Sequence, residues 1–188
     1  MNTFNKYAKY YDLLYKDKNY KKEVEFFLEV LRRNHFSGKK ILSLGSGTCT
    51  YEILLAKKGY SIVGIDISKQ MVDIGKEKVA SSKLSNKITL KVGDVRNIRA
   101  KGKFDIIMCM FNVIGYQNSN EDLESMLKGV SKYLKKDGAF IFDFWHNAAV
   151  IKDNPTKKER IIDLDGTKII RKTTPKLFPI NNLLYIVI

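Results

Sequence analysis

The chain has 188 residues, 44% of them hydrophobic, and its 34 Lys and Arg against 20 Asp and Glu give a formal net charge of +14. This length is typical of one domain with a single core, and the hydrophobic fraction excludes a disordered or collagen-like chain. No apolar run approaches the roughly 20 residues of a membrane-spanning helix. Met1–Tyr15 lacks an apolar core, so we do not expect it to be a secretory signal. Two cysteines, Cys49 and Cys109, are too few for a disulfide framework, which favours a reducing, cytoplasmic setting.

The basic excess predicts a lysine-rich surface rather than a polyanion-binding site. It is spread evenly along the chain, and most of the basic residues are Lys. Arg is the residue that bidentate contacts with phosphates and bases prefer. We therefore expect no specific nucleic-acid partner and no membrane partner, although the charge keeps a nucleic-acid-directed function open as an alternative.

Residues 1–37 are predicted to form an N-terminal helical cap. Between Tyr20 and Leu31, apolar residues recur at i, i+3, i+4 and i+7, which is the pattern of one buried helix face. This face comprises Val24, Phe27, Leu28 and Leu31. Ser37 and Gly38 are expected to end the helix.

Residues 38–147 alternate short apolar runs with helical patterns. The predicted strands are Lys40–Leu44, Ser61–Ile65, Ile88–Val92, Phe104–Met110 and Ala139–Phe144. The predicted helices are Tyr51–Lys58, Lys69–Ser81 and Glu121–Leu134. Strands that alternate with crossover helices form a parallel sheet, and nearly continuous apolar strands indicate a sheet covered on both faces. The predicted fold is therefore α/β, a doubly wound parallel sheet.

Residues 148–188 are predicted to add antiparallel strands to the same single domain. Asp165-Gly166 is a strong two-residue turn signal. It separates the apolar runs Arg160–Leu164 and Thr167–Thr173. A last apolar run, Asn182–Ile188, must pair with another strand, inside the chain or outside it.

Three features at the predicted strand ends point to a nucleoside ligand, because open α/β sheets bind ligands beyond the carboxyl ends of their strands. The first strand leads into Gly45-Ser46-Gly47, whose glycines allow a tight turn and a close backbone approach. Asp66 ends the second strand, where a carboxylate accepts hydrogen bonds from both ribose hydroxyls. Asp94 follows the third strand, where it could bind an exocyclic adenine amine.

Each of these features has an alternative structural interpretation. The glycine turn could serve only to pack a helix on a strand. Asp66 could cap the next helix, although Ser68 suits that position better, and Asp94 could be a simple turn residue. Thr50 stands where a dinucleotide fingerprint needs its third glycine, and the chain has no Gly-Lys-Ser/Thr phosphate loop. A ligand without phosphates, held by its ribose, its adenine and an amino-acid group, agrees best with the absence of both phosphate-binding motifs.

These motifs resemble those of the class I S-adenosylmethionine-dependent methyltransferases. The matching segments within residues 38–144 are Ile41–Thr48, Asp66, Gly93–Val95, Phe104–Phe111 and Tyr133–Gly138. The resemblance implies a Rossmann-like methyltransferase fold with S-adenosyl-L-methionine as cofactor. It also implies a cofactor site formed by Tyr11, Tyr20, Gly45, Ser46, Gly47, Asp66, Ile67, Met71, Asp94, Val95 and Met110. Ser43 stands where these enzymes commonly carry an acid, so we expect a looser contact with the methionine amino group.

A narrower resemblance is to the sugar N,N-dimethyltransferase-like subgroup. It rests on Tyr7–Tyr20, on Phe111–Tyr116 and on a hairpin inserted after the fifth strand. It implies that Tyr11 lies near the reactive methyl group and the substrate amine, and that Tyr20 helps to close the cofactor site. Tyr116 stands where the sugar enzymes carry a His, so the sequence does not establish that the substrate is a sugar. Aromatic anchoring of a helix in the core is the alternative explanation of the tyrosines.

The implied reaction is methyl transfer to a small-molecule acceptor, with an amine as the favoured class. In-line transfer from a sulfonium depends mostly on positioning and exclusion of water. We therefore predict orienting roles for Tyr11 and Tyr116, and His146 is the only candidate base, with a plain loop His as its alternative. No His, Cys and carboxylate spacing suggests a metal.

Two other functions stay open, an RNA-directed methyltransferase and a non-catalytic binding homologue. The family's fold usually closes with two further strands beyond the fifth, so the carboxyl end is expected to be short or truncated. Either the chain is a fragment or another subunit covers the edge of the sheet. We therefore predict a homodimer that associates through residues 160–188.

Overall fold

The computed structural model describes residues 3–164, 167–178 and 183–187. The chain forms two compact units, Met1–Asp143 and Phe144–Ile188. The helices are α1 (Thr3–Leu14), α2 (Tyr20–Arg33), α3 (Thr50–Lys57), α4 (Lys69–Ser81), α5 (Asn120–Tyr133) and α6 (Asn147–Asp153), with short 3₁₀ helices at Val95–Asn97 and Val113–Tyr116. The strands are β1 (Lys40–Leu44), β2 (Ser61–Asp66), β3 (Ile88–Val92), β4 (Phe104–Cys109), β5 (Leu134–Phe142), β6 (Lys158–Leu164), β7 (Thr167–Phe178) and β8 (Leu183–Val187).

The first unit is built on a five-stranded sheet in the order β3-β2-β1-β4-β5, and every neighbouring pair is parallel. Because β1 lies between β2 and β4, the strand order reverses at its carboxyl end. That reversal opens a crevice above β1 and β4, which is where such sheets bind ligands. The predicted doubly wound α/β fold is confirmed.

Helices cover both faces of this sheet, as the nearly continuous apolar strands predict. In β1, Ile41 packs into a cluster with residues of α2, α3 and α4. The next residue, Leu42, packs on the opposite face with Met126 and Val130 of α5. The alternation follows from the pleat of the strand, which turns successive side chains to opposite faces.

The helical cap behaves as its periodicity predicts, and it belongs to the same compact unit as the sheet. Val24, Phe27 and Leu31 of α2 are buried, and Leu28 packs partly against them. The helix ends at Arg33 rather than at the predicted Ser37-Gly38. Asn34 ends it by donating its backbone N–H back to the helix and its side-chain amide to the carbonyl of Val30.

Two differences from the predicted elements occur near the fifth strand. Strand β5 begins at Leu134, because Leu134 pairs with Phe104 before a register shift resumes the ladder at Ile106 and Ala139. The predicted turn at Tyr133–Gly138 is therefore largely extended chain. Helix α6, which the sequence pattern does not predict, follows β5 in the chain and belongs to the second unit.

The second unit contains an antiparallel sheet in the order β6-β7-β8. Leu164 of β6 pairs with Thr167 of β7, as a two-residue connection requires; the predicted turn residues Asp165-Gly166 lie outside the described residues. The final apolar run pairs with β7 of the same chain through Leu183–Val187, whereas Asn182 and Ile188 lie outside the described part. No helix in the described ranges is long and apolar enough to span a bilayer.

Candidate functional site

The glycine loop between β1 and α3 has one glycine that is packed and one that faces open space. Gly45 adopts a φ of +73°, and a Cβ placed on it would lie 2.5 Å from a methyl group of Val113. Gly47 adopts a φ of +52°, and a Cβ placed there would meet nothing within 4 Å. Both conformations favour glycine. The packing explanation therefore accounts for Gly45, whereas Gly47 leaves room for the close approach of a ligand.

Asp66 ties this loop to the end of β2. Its carboxylate accepts a hydrogen bond from the Gly47 backbone N–H at 2.7 Å and another from the Ser68 N–H at 2.9 Å. Burial raises the pKa of Asp66, and these two N–H groups act against that shift. Ser68 caps α4 by accepting from the backbone N–H of Met71, as predicted. Because a carboxylate has about four acceptor positions, Asp66 keeps capacity for two hydroxyl donors.

Asp94 lies at the next strand end along the sheet and already has a cationic partner. It caps the 3₁₀ helix that follows β3 by accepting from the Arg96 backbone N–H at 2.9 Å. The Arg96 guanidinium contacts both carboxylate oxygens and also reaches Asp122 of α5. The Arg96 hydrogen bonds hold the pKa of Asp94 below its usual range. An amine donor at this position would share the carboxylate with Arg96.

Tyr7 and Tyr11 of α1, together with Tyr15 just beyond this helix, form an aromatic cluster with Phe111, which follows β4. Tyr11 meets Tyr7 edge-on, with ring centroids 5.8 Å apart, and Tyr15 in a tilted arrangement at 4.8 Å, while Tyr15 meets Phe111 edge-on at 5.1 Å. The fully buried anchors of α1 are Ala8 and Leu14 instead, so the tyrosines are a half-buried cluster rather than core anchors.

Burial disfavours ionisation of Tyr11 in this cluster and of Tyr20 on α2. It raises the pKa of both residues above the usual tyrosine range. Neighbouring tyrosines add to the shift of Tyr11, whereas for Tyr20 the Asp12 carboxylate adds to the shift and a hydrogen bond with Tyr11 opposes it. Both side chains therefore stay neutral at physiological pH and keep a hydroxyl donor. A neutral phenol can orient a polar ligand but is a poor base.

The loop that follows β4 lies beside this cluster and has a strained backbone at two residues. Phe111 and Asn112 both have positive φ angles. Their backbone N–H groups donate to the carboxylate of Asp143 at 2.9 and 2.6 Å. Non-glycine residues persist in this conformation where the surroundings over-determine it, which is common at ligand sites.

Helix α1 is fastened to the glycine loop by a polar network that the sequence does not reveal. Asp12 accepts from the Thr48 hydroxyl at 2.6 Å and from the Lys78 ammonium at 2.8 Å. Lys78 of α4 also bonds the Thr50 hydroxyl at 2.9 Å. The network holds the tyrosine-bearing helix against the loop and against α4.

Glu52 is a second group that sequence reasoning missed. It lies in the first turn of α3 and is only 1% exposed. Its carboxyl accepts a hydrogen bond from the Ser43 hydroxyl at 2.6 Å. Burial raises the pKa of Glu52 to about 7, although the Ser43 bond opposes the shift. A single acid inside the otherwise apolar run of α3 is the signal that could have identified it.

We expect Glu52 to make stability fall as pH rises from about 4.5 to about 7. The folded protein binds more protons than the unfolded chain in this window, because the folded pKa is the higher one. Full ionisation removes roughly 3 kcal/mol of the free energy of unfolding. Urea unfolding of the wild type and of Glu52→Gln at pH 5 and pH 8 measures it. The difference between the two proteins should change with pH, whereas Glu124→Gln, at an exposed ion pair with Lys128, should run parallel to the wild type.

The remaining predicted site residues lie on different elements. In the first unit, Ile67 and Tyr116 are about half exposed and Met71 is buried, while Val95 and Met110 are half-buried. His146 belongs to the second unit, where it is exposed and directly precedes α6. Within the described ranges, no group of three His, Cys, Asp or Glu residues could hold a metal ion.

A cleft of about 850 Å³ lies beside the glycine loop. It is bounded by the α1–α2 connection, α3 and α4, and its lining includes Lys18, Tyr20, Thr50 and Lys78. Its lining does not include Gly47, Asp66 or Asp94. The cleft therefore adjoins the strand-end site without containing it.

Comparisons with known proteins agree on one family. The model of the methyltransferase domain matches residues 41–138. The dTDP-3-amino-3,4,6-trideoxy-alpha-D-glucopyranose N,N-dimethyltransferase of Streptomyces venezuelae is 23% identical, over 88% of this chain and 68% of its own length. The ubiquinone biosynthesis O-methyltransferase of Pelagibacter ubique is 30% identical over 72% of this chain and 51% of its own.

Solved structures show the same fold. A S-adenosylmethionine-dependent methyltransferase from Clostridium acetobutylicum superposes with a TM-score of 0.76 and 27% identity, covering 93% of this chain and 70% of that one. Streptomyces venezuelae DesVI superposes with a TM-score of 0.74 and 22% identity, covering 89% and 69%. This chain spans between 41% and 68% of the length of four curated relatives that it matches.

Proposed function

The chain belongs to the class I S-adenosylmethionine-dependent methyltransferase family, and we propose that it transfers a methyl group to a small-molecule amine. The observation that carries this proposal is the pairing of Gly47 and Asp66. An open left-handed glycine and a half-buried carboxylate meet at the strand ends beside the reversal of strand order. That pairing suits a nucleoside whose ribose hydroxyls donate to Asp66.

The residues at the strand ends fit the cofactor. Gly47 leaves space for it, Asp66 would hold the ribose, and Asp94 would accept from the adenine amine. The remaining residues assigned to this site are Tyr11, Tyr20, Gly45, Ser46, Ile67, Met71, Val95 and Met110. When bound, S-adenosyl-L-methionine supplies an electrophilic methyl group on its sulfonium. The protein holds the acceptor in line with that group and excludes water.

The aromatic surroundings support an amine as the acceptor. The Lys18 ammonium lies 4.3 Å from the centroid of the Phe111 ring and 5.3 Å from that of Tyr20, and it pairs with Glu23. Aromatic faces attract cations at such distances. Tyr11 and Tyr116 would orient an acceptor beside this cluster.

Methyl transfer from S-adenosylmethionine to amines should release S-adenosylhomocysteine, which mass spectrometry can quantify across a panel that includes an aminosugar nucleotide. We expect Tyr11→Phe to lower kcat about 10- to 100-fold, because it removes an orienting hydroxyl. Tyr10→Phe, on the same helix, is the matched control and should keep the wild-type rate. An equal rate for both variants would contradict the role of Tyr11. Transfer to none of the amines would contradict the acceptor class.

The net charge of +14 is the one observation that favours an RNA acceptor instead. The arginines of the first unit are largely committed to internal partners: Arg32 and Arg33 to Glu29, and Arg96 to Asp94 and Asp122. Gel-shift titrations at 50 and 200 mM salt separate the two acceptors. Tight binding with a steep salt slope would favour RNA, whereas binding without catalysis would favour the non-catalytic homologue.

We also propose that the protein forms a homodimer through residues 160–188. Ile161 and Ile170 lie directly opposite each other on β6 and β7, and each is about half exposed. Phe178 and Val187 are exposed as well and share this face of the sheet by register. Exposed apolar side chains that share one face of a sheet are typical of an interface.

Light scattering at micromolar concentration should give twice the chain mass of 21.6 kDa. We expect Ile170→Glu to shift the protein to the monomer, because it places a charge at one of the exposed apolar positions of this face. Ile151→Glu, at an exposed position on α6, is the control and should stay dimeric. A monodisperse wild-type monomer would exclude this interface.

A further inference from the structure

The buried carboxyl of Glu52 has one oxygen that the described residues leave unsatisfied. Oε1 accepts from the Ser43 hydroxyl at 2.6 Å, but Oε2 has no hydrogen-bond partner in the described part of the chain. Buried polar atoms are nearly always paired, and an unpaired buried carboxylate is strongly unfavourable. An acid kept in this state indicates a partner that the chain does not supply.

The charged groups around Glu52 favour a cationic partner. Asp66 of β2 repels its charge, and Lys78 of α4 attracts it. The Cys49 thiol of the glycine loop shares a hydrogen bond with the Glu52 carboxyl, and burial raises the pKa of that thiol far above its usual range. Lys78 already bonds Asp12, Thr48 and Thr50. This cation is therefore committed to other partners.

The order of the strands assigns this position to one part of the cofactor. The proposed adenine and ribose contacts, Asp94 and Asp66, follow β3 and β2, which are neighbours in the sheet. Neighbouring strands lie about 4.8 Å apart, so an extended nucleoside continues across the sheet edge from β3 and β2 to β1. Glu52 is attached to the end of β1 through Ser43. The amino-acid end of S-adenosylmethionine is the part that remains for this strand.

We propose that Glu52, held by Ser43, accepts the ammonium group of the amino-acid end of S-adenosylmethionine. The inference rests on the proposed function, since it assigns a residue to the same cofactor site. It also explains Ser43: helix α3 supplies from position 52 the carboxylate that β1 lacks. A nearby cation favours the ionised acid, so binding near neutral pH is accompanied by release of a proton from Glu52.

Calorimetry with two related nucleosides tests the assignment. S-adenosylhomocysteine carries the amino-acid end, whereas 5′-methylthioadenosine has the same adenine and ribose without it. For Glu52→Gln, we expect affinity for S-adenosylhomocysteine to fall at least about 10-fold, as for the loss of a charge-assisted hydrogen bond. Affinity for 5′-methylthioadenosine should stay at the wild-type value. Glu124→Gln is the matched control and should bind both ligands as the wild type does.

Proton release gives a second readout, which a purely structural role would not produce. Titrations at pH 6.5 in buffers of different ionisation enthalpy should show protons released by the wild type on binding S-adenosylhomocysteine, and fewer by Glu52→Gln. If Glu52→Gln does not fold, Ser43→Ala retains the carboxyl and removes its orienting hydroxyl. That variant should bind S-adenosylhomocysteine several-fold more weakly and 5′-methylthioadenosine normally.

The outcomes separate this inference from the proposed function. Equal losses for both nucleosides, or unchanged binding of S-adenosylhomocysteine by a folded Glu52→Gln, would overturn the role of Glu52 and leave the methyltransferase assignment intact. Failure of the wild type to bind either nucleoside would instead overturn the proposed function itself.

Discussion

Replacing Asp66 with alanine should weaken S-adenosylmethionine binding about 100-fold or more. The substitution removes the proposed acceptor of two ribose hydroxyls, and each hydrogen bond to a charged group contributes about 1.5–3 kcal/mol. It also frees the Gly47 N–H that Asp66 holds at 2.7 Å, so the glycine loop loses its tie to β2. Calorimetric titration of the purified variant measures the loss.

Two further variants show whether the effect belongs to the site. Asp66→Asn keeps one acceptor oxygen and removes the charge, so its affinity should lie between those of the wild type and the alanine variant. Asp73→Ala removes a carboxylate from α4 that forms an exposed pair with Lys69, and it should bind normally. An Asp66→Ala protein that binds S-adenosylmethionine with wild-type affinity would remove Asp66 from the cofactor site.

Replacing Gly45 with alanine should lower the free energy of unfolding by about 2–5 kcal/mol. A left-handed conformation costs an L-residue about 1–2 kcal/mol, and overpacking typically adds about 1–3 kcal/mol. Both apply here, since the φ is +73° and the added Cβ would lie 2.5 Å from Val113. Urea unfolding measures the loss.

Other glycines of the chain provide matched controls. Gly59 has a φ of +93° and a Cβ there would meet nothing within 4 Å, so Gly59→Ala should show the conformational cost alone, about 1–2 kcal/mol. Gly47→Ala should lose a similar amount of stability but bind cofactor more weakly, because its Cβ enters the open space. Equal destabilisation by the Gly45 and Gly59 substitutions would mean that the glycine loop accommodates the added Cβ of Gly45→Ala without a packing cost.

Much of the first unit could be predicted because its signals are local. The bounds of β1, β3 and α4 agree with the predicted ranges Lys40–Leu44, Ile88–Val92 and Lys69–Ser81. Apolar runs and helical periodicity depend on neighbours a few residues apart. Strand β5 differs because its first residue pairs with Phe104 across a register shift, and such pairing depends on a distant segment.

The candidate site was only partly predictable. Gly47, Asp66 and Asp94 could be assigned to adjacent strand ends, because parallel strands bring their carboxyl ends to one edge. The different surroundings of Gly45 and Gly47 could not be predicted, since they depend on where Val113 packs. Asp12 and Lys78 meet across 66 positions of the chain, and neither residue stands in a motif.

The sequence by itself determined the class of fold, the position of the glycine loop and the two carboxylates at the strand ends. Those features follow from side-chain periodicity and from backbone conformations available to glycine, which act over short stretches of chain. Only the tertiary structure decided the partners of the polar groups: Glu52 with Ser43, Asp12 with Thr48 and Lys78, and Arg96 with Asp94 and Asp122. Hydrogen bonds and ion pairs act over about 3 Å and depend on direction, so they are settled once packing has placed the elements.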